Sequence, residues 1–116
     1  MKNYMLMYEG GDPDWFTNTS PQDMQKQMQM WEQWMQDLSE KGQLISGGDA
    51  LVTGGKRLNA EGIVTDIAAA EFKDLVNGYS IISANNIDEA IEISKTCPAV
   101  LDEGTSVQIR EIINME

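Results

Sequence analysis

Residues 20–42 read SPQDMQKQMQMWEQWMQDLSEKG, and the rest of the chain is parsed from this stretch. Ser20 followed by Pro21, with Asp23 in the first turn, is a helix-start signal: the serine hydroxyl accepts an orphan N–H and proline has none to satisfy. Between Pro21 and Lys41 there is no glycine and no further proline, and Gln, Met, Lys and Glu favour helix. Met24, Met28, Trp31, Met35 and Leu38 recur at spacings of four, three, four and three, which draws one apolar stripe. Gly42 supplies the stop. The spacing predicts a long amphipathic helix with Trp31 in the core. Met30 and Trp34 lie off the stripe and are pocket candidates.

On the N-terminal side, Tyr4, Leu6 and Tyr8 alternate with Met5 and Met7, as expected of a strand with two apolar faces. Gly10-Gly11-Asp12-Pro13 ends it and opens a loop through Trp15 and Phe16. On the C-terminal side, residues 43–46 begin a second strand that loosens at Gly47-Gly48, and Gly54-Gly55-Lys56 reads as a flexible turn. Residues 63–67 and 78–84 read as further strands. Asn86 caps a second helix, with Glu89 in capping-box relation, and Cys97-Pro98 stops it. Residues 106–112 alternate as a last strand. The predicted fold class is α+β, a single domain over residues 1–116. It is a ferredoxin-like split βαβ unit, an antiparallel sheet with both helices on one face.

Eight basic against nineteen acidic residues give a net charge of -11, which argues against nucleic acid and anionic membrane as partners. No apolar run approaches the ~20 residues that span a bilayer, and nothing reads as a signal peptide, so the expected compartment is cytoplasmic. With no histidine and one cysteine, no metal site and no cofactor are expected. The glycine pairs open no phosphate-binding loop.

Asp66-Ile67-Ala68-Ala69-Ala70-Glu71-Phe72-Lys73-Asp74 resembles the signature D-G-P-F-x-E-x-K-E of the YCII-related, or DGPF domain, family. Asp66, Glu71 and Lys73 match and Asp74 keeps the acid, while the G-P-F core is missing. Gly78-Tyr79, Asp88-Glu89-Ala90, Cys97-Pro98 and Ile109-Arg110 fall where family members carry similar residues. The resemblance runs from Tyr4 to Arg110 and implies a dimeric α/β barrel, a homodimer joined through its sheet faces, with a cavity for a small molecule. Some related proteins do chemistry there with a His-Asp pair, which this chain cannot form.

Asp66 is the candidate catalytic base, a buried acid in the pocket; its plainer role is to accept backbone N–H groups at a strand end. Glu71 and Lys73 are candidates to hold a charged ligand at a cavity mouth, or form a solvated charge cluster. Arg110, facing away from Ile109 and Glu111, is a candidate bidentate grip for a carboxylate or phosphate, or an interface ion pair. Three functions remain open: a binding module for a partly apolar metabolite, a lyase- or isomerase-type enzyme using Asp66, and a sigma-factor-associated interaction protein.

Overall fold

A computed structural model describes residues 1–52, 54–67 and 72–115. Four strands form the main sheet: β1 (Lys2–Gly10), β2 (Leu44–Ser46), β5 (Val76–Ala84) and β6 (Thr105–Glu111). Their order is β2-β5-β1-β6, and every neighbouring pair is antiparallel. β5 therefore lies between β1 and β2, and α2 (Pro21–Glu40) joins those two. α3 (Ile87–Lys95) joins β5 to β6. This is the split βαβ arrangement of the ferredoxin-like α+β fold.

Both long helices start as their caps require. The Ser20 hydroxyl accepts the Asp23 N–H at 3.1 Å, and the Asn86 side chain accepts the Glu89 N–H at 2.9 Å. Glu89 reaches back one residue beyond the cap, accepting from the backbone and side chain of Asn85. Gly42 takes φ +70° after the last turn of α2.

The core lies between the sheet and the two helices. Tyr4 and Leu6 of β1 and Ile82 and Ala84 of β5 meet Trp34 and Leu38 of α2, and Ala90, Ile93 and Cys97 at α3. The opposite sheet face carries Met5, Met7, Tyr79 and Ile81, with Arg110 paired in register to Met5, and no helix of the described residues covers it. The chain spans 43 × 42 × 19 Å, a flat slab one sheet and one helix layer thick.

Three expectations need correction. The loop after β1 contains a helical turn, α1 (Trp15–Asn18). The turn expected at Gly54-Gly55-Lys56 runs into a strand, β3 (Lys56–Leu58), which pairs with β4 (Val64–Asp66) as a separate hairpin. That hairpin is an arm outside the main sheet, with Leu58, Ile63 and Val64 exposed. The tryptophans also exchange places. Trp34 is only 6% exposed and Trp31 is half-buried, while Met28 and Met30 face solvent. The buried line on α2 is displaced by about one residue because Thr96 and the 3-10 turn Pro98–Leu101 cover its C-terminal half.

Below Trp31, Tyr8 donates to the Ser80 hydroxyl at 2.8 Å, and Ser80 donates on to the Gly47 carbonyl at 2.9 Å. Burial, and then the neighbouring Cys97 thiol, push the Tyr8 phenol far above its ordinary value; burial pushes the Cys97 thiol up as well. Both groups hold their protons more tightly folded than unfolded, so stability is fully present below their ordinary values and falls above them. The urea midpoint is expected to fall as pH rises past about 9–10. Tyr8→Phe should flatten that limb; an unchanged limb would refute the assignment.

Candidate functional site

A cleft of about 500 Å³ opens where β1 ends, within the size range of small-molecule sites. Its floor is Gly10-Gly11, and local geometry makes glycine necessary at the first. Gly10 has φ +78°, and a Cβ there would lie 2.3 Å from the Gly104 carbonyl oxygen. The floor is pinned by Gly10 N–H to the Leu75 carbonyl and Gly11 N–H to the Gly104 carbonyl, both 3.1 Å. Asn77 clamps it from the side, its amide donating to the Gly10 carbonyl at 2.9 Å.

One wall is α1. Asp12 builds that turn: its carboxylate accepts the Asp14 N–H at 2.8 Å, and its carbonyl accepts the Trp15 N–H at 3.1 Å. The turn sets Trp15 and Phe16 edge to face, ring centres 5.0 Å apart. The other wall is the first half of α2, where Gln27, Met28 and Trp31 share one side. Trp31 is held by Tyr8 and Trp34, edge to face at 5.1 and 5.7 Å. Leu51 closes one end, its N–H bonded to the Asn77 carbonyl at 2.8 Å. Asp12, Asp102 and Glu103 stand at the rim, all exposed, and Asp102 accepts from the Gln27 amide at 3.3 Å.

The residues singled out from the sequence do not converge on this cleft. Asp66 ends the β3–β4 arm, 65% exposed, and its carboxylate pairs with the Lys56 ammonium. It is neither a buried acid nor, among the described residues, an acceptor of backbone N–H groups. Asp66→Asn is therefore expected to change the urea midpoint by the equivalent of no more than about 0.5 kcal/mol, as for an exposed pair; a loss of several times that would reinstate a structural role. Lys73 lies on the 3-10 turn Phe72–Asp74, with its backbone against Gly10, beneath the cleft floor. Glu71 falls outside the described residues. Arg110 is exposed on the open sheet face, remote from the helix side. Met30 and Trp34 do share a second hollow, about 370 Å³, with Asp37, Lys41 and Pro98. Trp34 is at the same time a core residue, its indole N–H donating to the Thr96 hydroxyl at 2.9 Å.

Of the cleft lining, Asp102 and Glu103 are not picked out as a site by sequence reasoning, and Trp15 and Phe16 stand out there only as part of a large aromatic and methionine surface. The available signal was a pair of large aromatics in a loop bounded by Gly-Gly and Pro. Among the described residues no three metal-ligating side chains gather, and no helix is long and apolar enough to cross a membrane.

A family model described as YCII-related domain matches residues 4–116. No curated protein matches the chain.

Proposed function

The chain belongs to the YCII-related family, and from that membership we propose that it is a small-molecule binding protein acting as a homodimer in the cytoplasm. The observation that carries the reading is the cleft: pre-formed, aromatic-walled, and furnished with carboxylates that are exposed rather than sequestered. General-base catalysis most often uses a histidine or a buried acid; the chain has no histidine, and the described carboxylates lining the cleft are exposed. The homodimer is supported by the open sheet face, where Met5, Met7, Tyr79 and Ile81 form an apolar surface that a second copy would bury. A regulatory interaction protein is the second reading, favoured by the exposed Leu58, Ile63 and Val64 on the arm.

Native mass spectrometry of gently purified protein tests the first reading. The expected species is twice the 12.9 kDa chain mass, carrying a small organic adduct that denaturation removes. A bare 12.9 kDa monomer at micromolar concentration would overturn both the dimer and the ligand site.

A further inference from the structure

The cleft's walls and rim together specify a ligand class, an inference that rests on reading the cleft as a ligand site. Trp15, Phe16 and Trp31 supply aromatic surface, and Asp12, Asp102 and Glu103 supply negative charge at the opening. Among the described residues, no lysine or arginine lines the cleft. Three ion pairs among the described residues, Lys2 with Glu111, Lys56 with Asp66 and Lys95 with Glu92, do not involve Asp12, Asp102 or Glu103. We infer that the cleft takes an organic cation, an amine or quaternary ammonium group carried on an apolar body.

Three physical reasons converge. Indole and phenyl faces attract a cation through their quadrupole, tryptophan most strongly. Carboxylates at the mouth give that charge a partner without requiring it to be fully desolvated. An anion would meet three rim carboxylates on a chain of net charge -11, and among the described lining residues a carboxylate or phosphate would find no guanidinium or ammonium to grip. The anion grip expected of Arg110 is not available here, because that side chain belongs to the other sheet face.

Chain-wide acidity attracts any cation weakly, so the test must separate the cleft from the overall field. Phenyltrimethylammonium, benzyl alcohol and benzenesulfonate present one ring with positive, neutral and negative character. Each is titrated into the ¹⁵N-labelled protein at about 0.15 M salt, where fields beyond roughly 8 Å are screened, and the indole N–H signals are followed. The cation is expected to shift the Trp15 and Trp31 signals saturably, with benzenesulfonate leaving both unmoved and benzyl alcohol binding more weakly. D102N/E103Q should weaken the cation about fivefold, as two exposed charge contacts imply. E61Q/E92Q, which removes the same charge away from the cleft, should leave its affinity unchanged.

Equal binding of all three probes at Trp15 and Trp31 would overturn the cation inference while leaving the binding reading intact. Equal weakening by both double variants would also overturn it, by tracing the preference to net charge. Silence from all three probes would overturn it too, and the binding reading falls with it only if the native-mass experiment shows no adduct.

Discussion

Trp34→Ala is expected to lower stability by about 3–5 kcal/mol, the range for removing a large aromatic from a packed core. Trp34 is 6% exposed, sits in the cluster with Leu38, Ile93 and Cys97, and donates to Thr96, which donates in turn to the Ile93 carbonyl at 2.7 Å. Truncation leaves a cavity, and Thr96 loses its indole partner. Trp31→Ala should cost about 1–2 kcal/mol, because its ring is half-buried and its outer part faces the cleft. Urea unfolding followed by circular dichroism compares the two without relying on the fluorescence that each variant loses. Trp34→Phe keeps most of the volume and isolates the hydrogen bond, which is worth about 1 kcal/mol. Equal midpoints for the two alanine variants would remove Trp34 from the core.

Gly48→Ala is expected to cost about 3 kcal/mol and to dismantle one end of the cleft. Gly48 has φ +71°, and a Cβ there would lie 1.7 Å from the Tyr79 carbonyl oxygen, which is backbone and cannot swing aside. Residues 47–51 would have to leave β5. That breaks Ser80 Oγ to the Gly47 carbonyl at 2.9 Å, Tyr79 N–H to the Asp49 carbonyl at 3.2 Å and Leu51 N–H to the Asn77 carbonyl at 2.8 Å. Gly42→Ala is the matched control. Its φ is +70°, but no atom lies within 4 Å of the added methyl group, so only the conformational penalty of roughly 1 kcal/mol applies. Equal losses at the two positions would show that close approach to β5 is not what holds residue 48 as glycine.

These two variants divide what pattern reading captures from what it misses. The helix start at Ser20-Pro21, the cap at Asn86 and the strand alternation from Tyr4 to Tyr8 are local, each set by a residue and its neighbours within about one turn. They appear in the structure at the expected places. Spacing along α2 was also local information, but it established only that one side is apolar. Which of Trp31 and Trp34 is covered depends on Thr96 and Pro98, more than sixty residues away along the chain. The glycines at 10 and 48 read as turn formers; that each faces a carbonyl of a distant strand or loop was invisible until the sheet was assembled.

The sequence by itself determined the order of the four sheet strands and the two longer helices, the boundaries of those helices, the two-sided apolar first strand, the acidic charge and the absence of histidine. These are properties of composition and of contacts between near neighbours, and with the order of elements they already imply the ferredoxin-like sheet. Only the tertiary structure decided where the cleft lies. Asp12, Trp15, Trp31, Asn77 and Asp102 are separated along the chain and meet because β1, β5 and the approach to β6 end at one edge beneath α2. It also moved Asp66 out to the β3–β4 arm and Arg110 to the open face, because strand pairing, which closes over long sequence distances, sets where each strand's ends and faces point.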